Sequence, residues 1–207
     1  MKNIIITSKI NYDKNYQINF SIEKNWLDYF KDKKINLIST NDYLFKKRNI
    51  KLYNPSALIL HGGNDIYFSK KDKINFLRKK IDSEILKYAI KKKIPILGVC
   101  YGFQLIANFF KVKMKLSSKH IKSKHNIDIR EFNENKRKNI IGVNSFHKCV
   151  VKNLPSHFKY LSYCSDGSVE MALSKKYRIL VTMFHPERKN IGQKKLDQLI
   201  FEHLKIK

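Results

Sequence analysis

The hydrophobic and polar positions of the chain follow two different periods, and their alternation predicts strands separated by helices. Short apolar runs bounded by turn residues indicate buried strands at residues 3–7, 35–39, 56–63 and 94–99. Apolar residues three and four positions apart predict helices at residues 23–33, 71–92, 103–110 and 191–206. Residues 127–184 contain several β-rich runs, in which we expect antiparallel strands. This order is typical of an α/β fold with a mostly parallel central sheet and helices on both faces.

The helix predicted at residues 23–33 illustrates how the pattern assigns a buried face. Its apolar residues are Trp26, Leu27 and Phe30, and we expect all three to lie on one face against the sheet. The longest predicted helix, at residues 71–92, has its apolar residues at three- and four-residue spacings. Both helices are therefore expected to cover the sheet.

The length and composition indicate a folded protein without stabilising cross-links. The 207 residues most simply form one domain over residues 1–207. Hydrophobic residues make up 43% of the chain and aromatic residues 12%, which is enough for a substantial core. No apolar run is long enough for a signal peptide or a membrane span, so we expect a cytoplasmic protein with no membrane partner. The 3 cysteines do not have the spacing of metal ligands, so we expect neither a disulfide framework nor a metal site.

The net charge of +26 is large enough to indicate a nucleic-acid-binding protein. The lysines, however, are scattered through nearly every segment, and asparagine and isoleucine are abundant as well. Codons rich in A and T specify all three residues, so a codon bias explains the composition without a polyanionic partner. We therefore do not expect nucleic acid as a partner, although the basic charge would also suit a small phosphorylated substrate.

The segment GVCYG, at residues 98–102, places a cysteine between two glycines where a predicted strand passes into a helix. This pattern is typical of a nucleophile elbow, in which a strained turn holds the central side chain out and the glycines allow close backbone approach. The start of the following helix favours a reactive thiolate through the helix dipole. The alternative is a buried cysteine that fills a glycine-rich turn. Because the strand, the glycines and the helix agree, we expect Cys100 to be a nucleophile.

A cysteine nucleophile needs a base and a group that orients the base. His185 follows the apolar run ILVTMF and precedes Pro186 and Glu187. Functional groups gather at the strand ends of α/β sheets, so the imidazole and the carboxylate are placed for this role. Alone, His185 would fit a capped strand-end histidine and Glu187 a solvated surface acid. Together with Cys100 they predict a Cys-His-Glu triad.

Five motifs, taken together, resemble the class I glutamine amidotransferase-like superfamily. They are, in chain order, LHGGND, GVCYGFQL, VNSFHK, DGSVEM and FHPER. VNSFH and DGSVE give a narrower resemblance, to the gamma-glutamyl amide hydrolase branch typified by gamma-glutamyl-gamma-aminobutyrate hydrolase. The motifs span residues 61–188. The resemblance implies a flavodoxin-like fold and a gamma-glutamyl thioester formed on the cysteine of a Cys-His-Glu triad.

The resemblance also implies a role for each residue of the reaction centre. Cys100 would attack the side-chain amide carbon of a gamma-glutamyl substrate, and His185, oriented by Glu187, would take the thiol proton and later protonate the leaving amine. The backbone N–H groups of Gly63 and Tyr101 would form the oxyanion hole. Without the resemblance, the glycine pair of HGGND would be read as an ordinary turn.

The resemblance further implies a set of substrate-binding positions: Gln104, Asn144, Ser145, Phe146 and His147. Gln104 would contact the glutamyl moiety, and the backbone around Ser145 and Phe146 would hold its α-amino and α-carboxylate groups. His147 is an alternative candidate for the base, but only His185 has an adjoining Pro-Glu pair. Glu170 matches the family and would support the pocket, although its segment SDGSVEM also fits a simple hairpin.

The leaving group of the substrate stays open at this stage. Aminobutyrate hydrolases commonly have arginine after the nucleophile, where this chain has Tyr101. Another hydrolase activity of the branch acts on gamma-glutamyl-CDP-amidate, in capsule phosphoramidate assembly, and phosphates would suit the basic charge. We expect a nucleotide-linked substrate of that kind and no cofactor.

Two other functions remain as alternatives. A glutaminase subunit would hydrolyse glutamine and deliver ammonia to a partner synthetase. A non-catalytic, basic polyanion-binding protein would use the same fold without turnover, but the presence of Cys100, His185 and Glu187 argues against it.

Overall fold

The structure is a computed structural model that describes residues 1–41, 47–66, 72–128 and 140–207. The strands are β1 (Lys2–Ile6), β2 (Lys9–Tyr12), β3 (Ile18–Ser21), β4 (Ile35–Ser39), β5 (Ala57–Leu60), β6 (Ile96–Val99), β7 (Met114–Leu116), β8 (Ser123–Asp128), β9 (Ile140–Ser145), β10 (Cys149–Val151), β11 (Lys159–Tyr163), β12 (Val169–Ser174) and β13 (Ile179–Thr182). The helices are α1 (Lys24–Phe30), α2 (Lys47–Leu52), α3 (Lys73–Lys91), α4 (Tyr101–Phe109) and α5 (Gln193–Leu204).

A seven-stranded sheet in the order β11-β12-β13-β6-β5-β1-β4 forms the centre of the protein. From β4 to β13 each neighbouring pair is parallel, whereas β12 and β11 add an antiparallel edge. The three other sheets are two-stranded and pair β2 with β3, β7 with β10 and β8 with β9. The predicted mostly parallel α/β sheet with antiparallel additions is therefore confirmed.

Helices cover both faces of the sheet because successive side chains of its strands point in opposite directions. Ile4 and Ile6 of β1 pack in one apolar cluster with residues of α1 and α5. Ile5, between them, packs on the other face with residues of α3 and α4. An uninterrupted isoleucine run is what a parallel strand buried on both faces requires. Among the described residues, no helix is both long and apolar enough to span a bilayer.

Most element predictions are confirmed within a few residues, and the exceptions have physical reasons. Leu27 of α1 is 54% exposed, so its predicted burial is wrong; Trp26 and Phe30, four residues apart, form the buried face. The hairpin of β2 and β3 was not predicted, because its residues are largely polar and exposed. The first residue of the helix predicted at 71–92 and part of the β-rich region, residues 129–139, lie outside the described residues.

Close packing between α4 and two strands depends on the glycines on either side of Cys100. A Cβ atom on Gly102 would lie 1.9 Å from the backbone oxygen of Leu60 in β5. A Cβ atom on Gly98 would lie 2.5 Å from the Cδ1 atom of Ile106 in α4. The helix therefore begins immediately beside β5 and β6, two residues earlier than the sequence predicted.

We expect Gly102→Ala to lower the free energy of unfolding by about 3 kcal/mol, because the obstructing atom is backbone and cannot rotate away. Gly167→Ala is the matched control: Gly167 has φ 78° but an added Cβ atom would meet nothing within 4 Å, so only about 1 kcal/mol of backbone strain is expected. Urea unfolding of both variants measures the difference. Equal losses in the two variants would contradict the packing argument.

Candidate active site

The candidate site lies at the carboxyl ends of three adjacent parallel strands, β5, β6 and β13. Register fixes these ends at one edge of the sheet, since Leu60 pairs with Gly98 and Thr182 pairs with Val99. The segments that follow carry Gly63, Cys100 and His185. Ligand and catalytic groups of open α/β sheets commonly gather at this edge.

Cys100 occupies a strained turn between β6 and α4. Its φ is 50° and its ψ is −102°, a combination that residues with a side chain rarely adopt. Its backbone N–H donates to the Thr182 oxygen of β13 at 2.9 Å, and its residue surface is 7% exposed. The turn directs the thiol toward the segment after β13, where it lies close enough to the His185 ring to help raise its pKa.

Glu187 binds the other side of the His185 ring. The distance between His185 Nδ1 and Glu187 Oε1 is 2.6 Å, and both residues are buried. Burial alone would lower the pKa of His185, but hydrogen bonds with Cys100 and Glu187, together with the charge of Glu187, raise it to about 10. The raised pKa therefore favours the charged imidazolium form of His185 beside Glu187.

Asn144 and Asn190 hold the backbone of His185 in place. The His185 N–H donates to Asn144 Oδ1 at 3.1 Å, and Asn144 Nδ2 donates to the His185 oxygen at 2.8 Å. Asn190 Nδ2 donates to the same oxygen at 3.0 Å. Both ends of the Asn144 amide thus position the histidine. The expected contact of Asn144 with substrate stays a prediction, and no sequence pattern pointed to Asn190.

Arg78 organises the loop that carries Gly63. This fully buried side chain donates from Nη2 to the His61 oxygen at 2.7 Å, and from Nη1 to the Gly62 oxygen at 3.0 Å and the Gly63 oxygen at 2.6 Å. The Gly62 carbonyl and the Gly63 N–H belong to one trans peptide and point in opposite directions. Because the Gly62 oxygen faces Arg78, the Gly63 N–H points away from Arg78. The orientation supports an oxyanion role for that N–H group.

Arg78 also links the loop to Tyr101. Its Cζ atom lies 4.1 Å from the centroid of the Tyr101 ring, and its Nε donates to Asp82 at 3.2 Å. Sequence reasoning missed Arg78. The available signal was an arginine at a buried position of α3, four residues after Ile74 and three before Ile81.

Gly62, rather than Gly63, makes the closest approach to the catalytic histidine candidate. A Cβ atom on Gly62 would lie 2.4 Å from His185 Cε1. Gly63 has φ 78°, which favours glycine for its backbone conformation instead. The glycine pair thus meets two requirements, contact with the imidazole and a left-handed turn.

The five expected substrate-binding residues differ in what their side chains offer. Phe146 is 46% exposed, its ring lies edge-on to His185 at 6.2 Å, and the Arg188 guanidinium lies 4.7 Å over it. Ser145 is buried and donates to the His120 oxygen at 2.8 Å, so only its backbone remains for a substrate. Gln104 is buried with its Nε2 atom 3.9 Å from Met183 Sδ. Substrate contacts of all five stay predictions.

His147 is placed less well than His185 to act as the base. Its Nδ1 atom lies 2.9 Å from the Cys149 oxygen, and its Nε2 atom lies 3.8 Å from Glu170 Oε1. Burial lowers the pKa of His147 to about 3. Because the Cys100 thiol lies beside His185 and helps to raise its pKa, the geometry favours His185 as the base.

A cavity of about 630 Å³ borders the backbone of this site. Asn144 and Asn190, which hold His185, line it on one side. Exposed Lys124 and Lys189 line it as well. Its volume is in the range of small-molecule sites.

Sequence comparison agrees with this geometry. The sequence model of the family described as "Glutamine amidotransferase class-I" matches residues 16–203. The chain belongs to this family. As a class I glutamine amidotransferase homologue, it is 31% identical over 149 residues to the gamma-glutamyl-CDP-amidate hydrolase of Campylobacter jejuni, a match that covers 72% of this chain and 68% of that protein.

Two further relatives place this class I chain among amidotransferases. It is 33% identical over 141 residues to the GMP synthase [glutamine-hydrolyzing] of Petrotoga mobilis. That match covers 67% of this chain but only 26% of the other protein. A glutamine amidotransferase structure from Thermotoga maritima superposes with a TM-score of 0.64 at 16% identity, covering 97% of this chain and 82% of that one. The latter likeness shows that the two share a fold.

We expect the His185 ring to remain protonated at pH 8 and to lose its proton near pH 10. The raised pKa stabilises the folded protein fully below about pH 6.5, the ordinary value, and this contribution is lost as the pH rises through the folded pKa. Glu187→Gln removes the carboxylate and should shift the titration to lower pH. Histidine ring NMR measures the pKa of His185 in the wild type and in Glu187→Gln. Glu84→Gln, on α3, is the control and should leave that pKa unchanged. A neutral His185 ring at pH 8 in the wild type would contradict the ion pair.

Proposed function

We propose that the protein hydrolyses a gamma-glutamyl amide to glutamate and a free amine or amidate through a cysteine thioester. The observation that carries the proposal is the buried group at the strand ends, in which the Cys100 thiol lies beside the His185 ring and His185 Nδ1 lies 2.6 Å from Glu187 Oε1. A relative named gamma-glutamyl-CDP-amidate hydrolase supports the substrate class.

The first half of the reaction forms the thioester. The Cys100 sulfur attacks the side-chain carbonyl carbon with its proton already held on the His185 ring, and the carbonyl oxygen takes the negative charge. The Gly63 and Tyr101 N–H groups donate to that oxygen; losing one such donor typically costs about 2.7 to 4 kcal/mol of transition-state stabilisation. His185 then gives the proton to the leaving nitrogen, the carbon–nitrogen bond breaks, and the amine departs.

The second half of the reaction regenerates the cysteine. Water attacks the thioester carbon as His185 takes one of its protons, and the carbon–sulfur bond breaks. Glutamate leaves, and the proton taken from water stays on His185 beside the restored Cys100 sulfur. Glu187 keeps the ring oriented and stabilises its charged form in both halves.

We expect wild-type protein to release glutamate from at least one member of a panel of gamma-glutamyl amides that includes glutamine. Cys100→Ala should lower the rate by roughly 10⁴-fold or more, because the nucleophile is lost. Cys164→Ala is the matched control, since this cysteine lies outside the triad and should leave the rate unchanged. Equal rates for wild type and Cys100→Ala would refute the thioester mechanism.

The absence of release from every amide would favour one of two other functions. The match to a GMP synthase [glutamine-hydrolyzing] supports a glutaminase that delivers ammonia to a synthetase. Glutamine turnover that rises strongly when a synthetase is added would identify that function. A polyanion-binding protein would instead show salt-sensitive binding without thiol-dependent turnover.

The finer part of the proposal concerns the leaving group, which we take to be nucleotide-linked. The cavity bounded by Lys124 and Lys189 lies beside the asparagines that hold His185, so a group leaving from the reaction centre could extend into it. Two lysines would match the negative charge of a diphosphate. Gamma-glutamyl-CDP-amidate has this chemistry, and gamma-glutamyl-aminobutyrate does not.

We expect Lys189→Ala to raise KM for gamma-glutamyl-CDP-amidate up to about 5-fold, the effect of losing roughly 1 kcal/mol from an exposed charge contact. The KM for gamma-glutamyl-aminobutyrate should not change. Lys91→Ala, an exposed lysine on α3, is the matched control. Steady-state kinetics with both substrates test the assignment. A clear preference of the wild type for the aminobutyrate substrate, or equal KM changes for both, would reject it.

A further inference from the structure

Three histidines and a glutamate converge beneath the expected substrate-binding segment. One ligand-capable atom from each of His120, His125, His147 and Glu170 lies within 4.8 Å of all the others. His120 Nδ1 is 3.1 Å from His125 Nε2 and 3.8 Å from Glu170 Oε1, and His147 Nε2 is 3.8 Å from the same oxygen. The proposed hydrolysis gives none of these residues a proton-transfer step, and they are called the histidine cluster below.

The outward nitrogen atoms of two of these histidines have partners that orient the rings. His120 Nε2 lies 2.9 Å from Asp166 Oδ2, and His147 Nδ1 lies 2.9 Å from the Cys149 oxygen. Such contacts fix the tautomer so that His120 Nδ1 and His147 Nε2 present lone pairs to the centre of the cluster. A carboxylate or carbonyl behind a histidine is the usual surrounding of a metal-bound imidazole.

At the centre of the cluster, the Glu170 carboxylate and His147 Nε2 are not satisfied by protein groups, whereas His120 Nδ1 and His125 Nε2 hydrogen-bond to each other. Glu170 is fully buried, and neither of its carboxylate oxygens has a hydrogen-bond partner in the part of the chain that the structure describes. The Nε2 atom of buried His147 likewise has no hydrogen-bond partner among those residues. Buried polar atoms of this kind are costly unless another group binds them. Three inward nitrogens and a carboxylate oxygen are together a ligand set for a cation.

We infer that His120, His125, His147 and Glu170 bind a zinc ion. Zinc favours four ligands in a tetrahedron, with bonds of about 2.0 to 2.1 Å that place the ligand atoms about 3.3 Å apart. Three of the six atom pairs, at 3.1, 3.8 and 3.8 Å, bracket that separation, and the other three lie within 4.8 Å. His125 is only partly buried, which gives the ion a route from solvent.

The ion has a structural role in this arrangement, because four protein ligands leave no open position for water or substrate. It joins strands that are far apart in sequence, with His125 on β8, Glu170 on β12 and His147 after β9. The His120 oxygen already accepts from the His147 N–H at 3.1 Å and from Ser145 Oγ. The ion therefore fixes the segment that presents Phe146 to His185.

Metal content and spectroscopy test the inference without any assay of hydrolysis. The protein is purified without a histidine tag, analysed for zinc, and then stripped and titrated with Co²⁺. We expect about one zinc per chain and saturation at one Co²⁺, with visible bands typical of tetrahedral nitrogen and oxygen ligation. No saturable Co²⁺ binding would overturn the inference.

A second candidate set, His120, Cys164 and Asp166, makes the spectrum decisive. A thiolate ligand would add intense charge-transfer bands in the near ultraviolet, and Cys164→Ala would abolish them. We expect neither the bands nor an effect of Cys164→Ala. Their appearance would overturn the assignment to the histidine cluster.

Variants of partly exposed or outlying residues limit the risk of unfolding. His125→Ala should weaken Co²⁺ binding at least 10-fold, and Asp166→Asn should weaken it about 10- to 100-fold as a residue that orients a ligand. His157→Ala is the matched control, because this histidine packs against Phe110, Phe158 and Tyr177 outside the cluster. Circular dichroism establishes that each variant is folded. Unchanged Co²⁺ affinity in folded His125→Ala would overturn the inference.

Discussion

Cys100 adopts φ 50° and ψ −102° between β6 and α4, and the surrounding fold has to hold it there. A residue in such a conformation costs of order 1 to 3 kcal/mol, so it persists only where packing and hydrogen bonds impose it. Two neighbours do so: β13 accepts the Cys100 N–H through Thr182, and β5 contacts Gly102. The strand order β13-β6-β5 that supports the turn also brings the imidazole and the glycine loop to the thiol.

Opposite electrostatic surroundings separate the two histidines nearest the thiol. Burial lowers the pKa of His61 far below its ordinary value, and the charges of Arg78 and His185 act in the same direction. Burial acts likewise on His185, but Cys100 and Glu187 outweigh it and raise its pKa. One ring is therefore held neutral and the other charged, a difference that supports His185 as the proton-transfer group of the proposed reaction.

Groups of residues adjacent in sequence could be predicted, and groups assembled by the sheet could not. The elbow around Cys100 and the pair His185 and Glu187 each occupy a few consecutive positions, and the family resemblance joined them. Arg78 acts through three backbone oxygens, a role that leaves no local pattern. The histidine cluster was missed, and a metal site was not expected, because its ligands are spread over residues 120–170 at spacings that match no zinc motif.

The last two residues of β9 and the two residues that follow connect the reaction centre with the histidine cluster through the alternation of their side chains. Asn144 and Phe146 are on the side of His185, where one binds its backbone and the other contacts its ring. Ser145 and His147 point the opposite way, toward His120 and Glu170. Because successive residues of an extended chain face opposite sides, a shift of the second pair moves the first. Binding of an ion at the inferred site would therefore hold the same strand end whose opposite side carries Asn144 and Phe146, two residues that contact His185.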